Sequence, residues 1–273
     1  MSLVLDAPPK DSNSLRGLSV FLRQMLAVAE SDVRKLRHDP AELLTRMVQP
    51  MLWLLIFGEV LTQSRAIPTG DISYLDFMAP GILAQSVLFV AIFYGISVIW
   101  ERDLGILQKF LVSPAARSAL VLGRALSSGV RGLSQAAAVY VLTLLLGVHL
   151  HVGFATMVGV VVVVMLGSAI FSTFSLIVAC IVKTRERFMG IGQVLTMPLF
   201  FASNAIYPIG MMPSWLQSVA KVNPLTYQVD ALRTLMIVGS QSSFGLGTDL
   251  AVQVLALGVL VLIATRLYPT IIN

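Results

Sequence analysis

The stretch VGFATMVGVVVVVMLGSAIFSTFSLIVACIV, residues 152–182, is 31 residues long and contains no charged side chain. About 20 apolar residues in an α-helix are enough to cross the hydrocarbon core of a bilayer. The stretch therefore predicts a transmembrane helix that tilts or extends beyond the bilayer. Because the whole chain is 56% hydrophobic and only 12% charged, we predict an all-α integral membrane protein.

Other apolar runs lie on both sides of this stretch, so the sequence predicts six transmembrane helices in total within residues 41–273. The other runs cover residues 42–61, 77–100, 117–148, 188–208 and 250–265. The first of them is the weakest because Arg46, Gln49 and Pro50 interrupt it. The lone cysteine, Cys180, lies in an apolar run, which excludes an internal disulfide and a cysteine metal cluster. We predict no metal site.

Basic residues are distributed unevenly between the two sides of the predicted membrane domain. Lys and Arg are frequent before the first run, after the second run and before the fifth run. They are rare in residues 62–76 and around His149. Since segments rich in Lys and Arg face the cytoplasm, we predict a multi-pass protein with both termini in the cytoplasm.

Residues 15–40, ahead of the first run, have the pattern of an amphipathic helix at a membrane interface. Leu15, Leu18 and Leu22 begin a series of apolar residues at three- and four-residue steps. An anchor on anionic lipid is the favoured interpretation, and a contact with a partner protein is compatible with it. The preceding residues, 1–14, indicate a disordered tail.

A short charged segment, residues 101–113, separates the second and third runs. Leu104, Leu107 and Leu111 lie on one face of a predicted helix, and Ser113-Pro114 ends it. The pattern alone has two interpretations. The segment is either a solvated connector or a helix that fits a groove on another protein and transmits its movement.

Residues 209–240 form a second unusual segment, between the fifth and sixth runs. Pro213 to Val222 predict a short amphipathic helix, with Trp215 at the membrane interface. Asn223 is a good N-cap and Pro224 suits the first helical position, so a second helix is expected to begin there. A re-entrant hairpin between the spans is favoured over a surface loop, because lipid does not tolerate exposed irregular backbone.

Two blocks of this sequence resemble the permeases of type-2 ABC exporters. The block ERDLGILQKFLVSPAARSALVLGRAL, residues 101–126, has the E-R-x-x-G start, the Ser-Pro stop and the following Gly-Arg of that family. The block FFASNAIYPIGMMPSWLQSVAKVNPLTYQVDALR, residues 200–233, resembles the family's passage from fifth to sixth span. The resemblance covers the chain from about Leu15 onward. It is greatest to the daunorubicin-resistance and nodulation-factor exporters.

The resemblance implies a permease subunit in the bacterial cytoplasmic (inner) membrane that moves an amphipathic drug, lipid, glycolipid or polyketide outward. It implies two cytoplasmic ABC ATPase subunits and a second permease subunit, identical or homologous, as partners. Membrane lipids and amphipathic cargo are further expected partners, and nucleic acid is not. No G-x-x-x-x-G-K-[ST] phosphate loop occurs in the sequence. We therefore expect a non-catalytic chain without a cofactor of its own, with ATP and Mg²⁺ bound by the partner ATPase.

A secondary transporter or channel that is not coupled to ATP is the alternative function. Such proteins usually carry ionisable groups in the middle of the membrane or a repeat of one half in the other. Neither feature is evident in the sequence, so the exporter subunit is favoured.

Three groups of candidate functional residues follow. The resemblance implies ATPase coupling by Glu101, Arg102, Gly105, Leu107 and Phe110. It implies an outer gate formed by Tyr207, Pro208, Trp215, Asn223, Pro224 and Tyr227. Polar residues in or near the apolar runs are candidates for lining the translocation path, namely Glu59, Gln85, Gln193 and Asn204. Hydrogen bonding between helices is an equal alternative for the three amides, and surface exposure is an equal alternative for Glu59.

Overall fold

The computed structural model describes residues 40–64, 67–70, 72–105, 117–182 and 184–268. The predicted tail 1–14 and almost all of the predicted interfacial helix 15–40 lie outside these residues. So do Leu107, Phe110 and most of the predicted coupling helix, residues 101–113. Within the described residues every element is helical, apart from an isolated antiparallel bridge between Leu150 and Ile237.

The helices are numbered here in chain order. They are α1 (Pro40–Leu52), a π-helical segment (Trp53–Gly58), α2 (Glu59–Ser64), α3 (Tyr74–Asp103), α4 (Arg117–Leu145), α5 (Phe154–Ile181), α6 (Arg185–Phe201), a 3₁₀ turn (Ile209–Met211), α7 (Ser214–Val222), α8 (Pro224–Met236) and α9 (Leu246–Leu267). The first apolar run thus forms one helical rod, whose middle part is π-helical. The 31-residue uncharged stretch forms α5, and this part of the prediction is confirmed.

Three of the described helices are long and apolar enough to cross a membrane, namely α3, α5 and α9. Helix α4 is also long, but Arg117, Arg124 and Arg131 make its first half less apolar. Helix α6 has only 17 residues, and the rod formed by the first run is divided by its π-helical segment. The structure therefore supports a helical membrane protein, while six crossings stay a prediction.

Helix α3 is the centre of the bundle and is buried along most of its length. It packs against α4, α5, α6 and α8, and Leu83, Val87 and Leu88 at its middle are fully buried. Its contact with the turn after α6 is so close that a Cβ atom at Gly81 would lie 2.5 Å from the carbonyl oxygen of Ala205. Gly81 therefore permits two backbones to touch at this point.

The bundle has two chemically different ends. At the end called here the basic end, α3 finishes at Asp103, α4 begins, and Val182 leads towards α6. Helix α9 finishes at the same end, where Tyr268 is buried in a cluster with Val98 and Leu120. The opposite end, called the hairpin end, holds α7, the turn after α6 and the segment after α8.

Helix α8 runs inside the bundle, against α3, α5 and α9. Ten of its thirteen residues are buried. By contrast, Ala220 is the one buried residue of α7. The predicted pair of short helices is present, and its second member is enclosed by longer helices, as a re-entrant hairpin requires.

Candidate functional site

Glu101 and Arg102 lie in the last turn of α3, so the predicted coupling segment begins as a continuation of the longest helix. Gly105 follows in a turn with a φ of 69°, a backbone conformation that glycine adopts without strain. The Glu101 carboxylate accepts a hydrogen bond from the guanidinium of Arg124 in α4. Only 15% of the Glu101 side chain and 7% of the Arg124 side chain are exposed. This pair joins the end of α3, which precedes residues 106–116, to α4, which follows them.

A second ion pair joins the end of α3 to the beginning of α6. Arg185 lies 2.9 Å from the Asp103 carboxylate, and its guanidinium stacks 3.5 Å above the ring of Trp100. Arg102 donates to the carbonyl of Val182 over 3.4 Å. Both sides of this contact are partly exposed, so each single interaction is weak and screened by salt. Together they connect the end of α3 to the beginning of α6 and to Val182, the residue that follows α5.

A row of polar side chains, called here the polar seam, runs along α4 from the basic end towards the middle of the bundle. Its members follow at three- and four-residue steps and are Arg124, Ser127, Arg131 and Gln135. Tyr94 of α3 donates to the Ser127 hydroxyl over 3.3 Å, and the Arg131 guanidinium lies 5.3 Å from the Tyr94 ring. The polar seam therefore lies between α3 and α4.

The polar seam ends at a cavity of about 330 Å³ between α1, α3 and α4. Gln85 and Gln135 line this cavity and are 2% and 1% exposed. The Nε2 atom of Gln85 and the Oε1 atom of Gln135 have no hydrogen-bond partner among the described residues. Arg46 and Gln49 contribute further polar groups from α1. Of the four residues proposed for the path, Gln85 is the one that lines this cavity.

At the hairpin end, Asn223 and Pro224 start α8, which confirms the predicted N-cap and first helical position. The Asn223 side chain accepts from the N–H of Leu225 over 3.0 Å. Its amide group donates to the carbonyls of Leu199 over 2.7 Å and Ala202 over 3.1 Å. One side chain therefore caps α8 and binds the end of α6.

The other predicted gate residues surround this junction. Tyr227 donates to the carbonyl of Lys221 over 2.6 Å and so closes the turn between α7 and α8. Tyr207 donates to the Phe201 carbonyl, and Pro208 precedes the 3₁₀ turn. Trp215 is 67% exposed on α7. These residues share one end of the molecule, but Trp215 lies on its outside.

Asp230 and Arg233, three residues apart on α8, are both buried. Arg233 donates to the carbonyls of Phe77 over 3.1 Å and Asn204 over 2.6 Å, and it stacks 3.8 Å from the Phe77 ring. Asp230 accepts from the Ser242 hydroxyl over 2.7 Å and from the next backbone N–H. The candidate path residue Asn204 is therefore part of a hydrogen-bond network between α3, α8 and the turn after α6.

The remaining two path candidates, Glu59 and Gln193, are exposed on the surface of the described chain. Glu59 accepts from Gln63 in the following turn of its own helix. The four candidates thus do not form one site.

Sequence reasoning missed Gln135, which lines the cavity. Gln135 lies at a four-residue step from Arg131, and this spacing places both side chains on one helix face.

The described residues contain no group of three His, Cys, Asp or Glu side chains that could hold a metal ion. His149, at the hairpin end, instead lies beside Asp76. Its backbone N–H and its ring Nδ1 are 3.0 Å and 3.2 Å from the two oxygens of that carboxylate. His151 contacts the hydroxyl of Thr156 over 2.8 Å.

Comparison with known proteins identifies the family to which this arrangement of helices belongs. Residues 23–237 match the model of the ABC-2 type transporter family. The chain belongs to this family. The match includes both sequence blocks, the polar seam and the helix pair at the hairpin end.

Three named relatives match most of the length of this ABC-2 protein. A putative transport permease, ycf38, of Cyanophora paradoxa is 29% identical over 79% of this chain and 74% of its own length. The daunorubicin resistance ABC transporter permease DrrB1 of Streptomyces coeruleorubidus is 27% identical over 85% of this chain and 81% of its own. Nodulation protein J of Rhizobium leguminosarum bv. trifolii is 23% identical over 82% of both. The predicted family resemblance is thus confirmed, and the chain is related to transport permeases of ABC systems.

Proposed function

We propose that this chain is the transmembrane permease subunit of an ATP-driven exporter. Two such subunits, identical or homologous, form a path between them, and two cytoplasmic ABC ATPase subunits bind beneath. The family supports this function, because an ABC-2 permease works with an ATPase. Two relatives carry names that refer to daunorubicin resistance and nodulation. The cargo accordingly belongs among amphipathic drugs, lipids, glycolipids and polyketides.

The single observation that carries the coupling mechanism is the Glu101–Arg124 pair. Residues 101–113 receive the movement of the ATPase in this proposal, and Leu107 and Phe110 fill the groove of that partner. Arg102 and Gly105 then set the direction of the segment as it leaves α3. Because the buried pair ties the end of α3 to the first half of α4, a displacement of the segment between these two helices moves both of them.

The orientation of the protein follows from its charges in this proposal. The basic end faces the cytoplasm of a bacterial cell, where Lys and Arg are favoured. Both termini lie on that side, and residues 15–40 lie on anionic lipid of the same leaflet. The hairpin end then faces outward.

The hairpin end acts as the outer gate. Tyr207, Pro208, Trp215, Asn223, Pro224 and Tyr227 are the proposed gate residues. Asn223 holds the beginning of α8 against the end of α6 through two backbone carbonyls. Opening the gate requires a movement of α7 and α8 relative to α6, and ATP binding supplies the free energy for it. A shift of the closed-to-open ratio from 1:99 to 99:1 requires about 5.5 kcal/mol.

A transport assay with matched glutamate variants tests this proposal. The chain is reconstituted in proteoliposomes with its ATPase, and ATP-dependent export of a fluorescent amphipath is measured. We expect Glu101→Ala to reduce export about tenfold or more, because it leaves Arg124 buried without its carboxylate. The control Glu186→Ala removes an exposed carboxylate from the same end of the bundle and should leave export unchanged.

Two outcomes would contradict the proposal. Transport by the isolated chain without ATP would assign it to secondary transporters or channels. Equal export by Glu101→Ala and the unaltered protein, with the ATPase bound in both, would remove the pair from the coupling mechanism. Restored coupling in the charge-swapped variant Glu101→Arg with Arg124→Glu would instead support a role of the pair itself.

A further inference from the structure

Asp249 is a buried acid in the first turn of α9, at the hairpin end of the bundle. Its Oδ2 atom lies 3.1 Å from the hydroxyl oxygen of Ser242, in the segment that connects α8 to α9. Its Oδ1 atom has no hydrogen-bond partner among the described residues, and none of their basic side chains forms an ion pair with it. An ionised carboxylate at this position would be desolvated without a counter-charge, which is costly.

The hydroxyl group of Ser242 lies between two carboxyl groups. Its oxygen is 2.7 Å from Oδ2 of Asp230 and 3.1 Å from Oδ2 of Asp249. A serine hydroxyl has one hydrogen atom and can donate to only one of these two oxygens. Two ionised carboxylates would therefore leave one of the oxygen–oxygen contacts without a hydrogen atom. A proton on one of the carboxyl groups supplies the missing hydrogen.

The other contacts of Asp230 assign this proton to Asp249. The Oδ2 atom of Asp230 also accepts from the backbone N–H of Ser243 over 2.8 Å and from that of Phe244 over 3.3 Å. An oxygen that already accepts two N–H bonds suits a carboxylate, because a carboxylate accepts and never donates. Within the described part of the chain, Oδ2 of Asp249 has one hydrogen-bond contact, which is Ser242. It is therefore the oxygen that can carry a hydrogen atom and donate it.

Few other ionisable groups lie on the elements that pack against α9, which are α4, α5 and α8. Helix α5 contains no charged side chain, and the connecting segment, residues 237–245, contains no ionisable one. The ionisable residues of α8 and of the hairpin-end half of α4 are Tyr140, Tyr227, Asp230 and Arg233. Of these, Asp230 is the one that shares a hydrogen-bond partner with Asp249. The protonation of the site therefore depends mainly on these two carboxyl groups.

We propose that Asp249 is a proton-binding site that stays occupied near neutral pH, with its O–H group donating to the hydroxyl of Ser242. Ser242 in turn donates to Asp230, so one proton completes a chain of hydrogen bonds from α9 through the connecting segment to α8. Loss of this proton would leave a buried anion facing the lone pairs of Ser242. The link between α8 and α9 therefore weakens as the pH rises. The inference goes beyond the proposed function, because the site requires neither an ATPase nor a cargo.

Infrared spectroscopy of the full chain at about pH 6.5 tests the proton directly, because exposed carboxyl groups are ionised at this pH. The protein is studied in dodecyl maltoside, a detergent without a carbonyl group. A neutral carboxyl group has a C=O stretch at a higher frequency than carboxylates and backbone amides. We expect this band in the unaltered protein and its loss in Asp249→Asn. Asp230→Asn should retain the band, as should the control Glu59→Gln, which changes an exposed side chain.

The pH dependence of stability is the second test, measured as reversible unfolding by sodium dodecyl sulfate in mixed micelles. An aspartate in an unfolded chain ionises near about pH 4, so at higher pH the folded protein holds one proton more than the unfolded chain. Stability therefore falls as the pH rises from there to the pH at which folded Asp249 also ionises. Within this range the unfolding equilibrium constant increases by up to about tenfold per pH unit. Asp249→Asn still donates to Ser242 but has no proton to lose, so it should lack this part of the pH dependence.

The inference would be wrong if the unaltered protein lacked the carboxyl band, if Asp249→Asn retained it, or if Asp230→Asn lost it. Parallel pH profiles of the unaltered protein and Asp249→Asn would also overturn it. So would stabilisation by sodium chloride relative to choline chloride that disappears in Asp249→Asn, because a bound cation would then take the place of the proton. Since no ATPase, ATP or cargo is present, none of these results bears on the proposed export.

Discussion

The two ends of the bundle are held together by different kinds of bonds. At the basic end, charged side chains from different helices bind each other, as in Glu101–Arg124 and Asp103–Arg185. At the hairpin end, buried side chains bind backbone carbonyls, as Asn223 binds Leu199. Ion pairs between long side chains exchange partners without a change of the backbone. A bond from a buried side chain to a carbonyl breaks only when a whole segment moves.

In the proposed mechanism, this difference suits a basic end that follows the ATPase and a hairpin end that stays sealed until a larger rearrangement occurs. It also predicts that substitutions at the hairpin end will affect stability more than those at the partly exposed pair of the basic end. The following three variants test that ranking. All of them are measured by thermal unfolding of the purified chain in one detergent.

The largest effect is expected for Gly81→Ala at the hairpin end. The new Cβ would lie 2.5 Å from a backbone oxygen of Ala205 and 2.7 Å from its Cα, so α3 and the turn after α6 must separate. Overpacking of this kind costs about 3 kcal/mol. The control is Gly190→Ala in α6, where no atom lies within 4 Å of the added group. A Gly81→Ala protein as stable as the control would show that the two backbones are not in contact.

A smaller loss is expected for Asn223→Ala, which removes the cap of α8 together with the two bonds to α6. The expected cost is about 2 kcal/mol. Asn223→Asp separates the two contributions, because the carboxylate still accepts from Leu225 but cannot donate to Leu199 and Ala202. We expect the aspartate variant to lie between alanine and the unaltered protein. If aspartate and asparagine are equally stable, the link to α6 contributes nothing.

The smallest effect is expected for Arg185→Ala at the basic end. This change removes the Asp103 contact and the stacking on Trp100, both at a partly exposed surface. Stability should fall slightly at low salt and not at all at high salt, because salt screens such pairs. Arg185→Lys retains the charge but loses the flat guanidinium, and should separate stacking from charge. A salt-independent loss larger than that of Asn223→Ala would reverse the proposed ranking.

The parts of the fold that depend on one helix at a time could be predicted from the sequence. The uncharged stretch 152–182 predicted α5, and the Asn223-Pro224 pair predicted the start of α8, because apolar length and capping are local properties. The positions of Gln85 and Asn204 could not be predicted. Gln85 faces a cavity only because α1 packs beside α3 and α4, and Asn204 binds Arg233 across 29 residues.

The charged segment 101–113 also shows that sequence patterns do not predict long-range contacts. Its composition identified a special region, yet the sequence pattern could not show that Glu101 would find Arg124, 23 residues later, as its partner. Periodicity describes which residues share a face of one helix. It contains no information about which face of another helix lies opposite. Long-range partners therefore had to come from the packing of the bundle.

The π-helical segment Trp53–Gly58 affects the direction in which the side chains of the following residues, Glu59–Ser64, point. One residue corresponds to about 100° of rotation around an α-helix. A π-helical turn, with i→i+5 hydrogen bonds, accommodates about one residue more than an α-helical turn. A single deletion that restored α-helical winding at Trp53–Gly58 would therefore leave Glu59–Ser64 facing nearly the same way. The same deletion within α1 would instead rotate everything after it by the full angle.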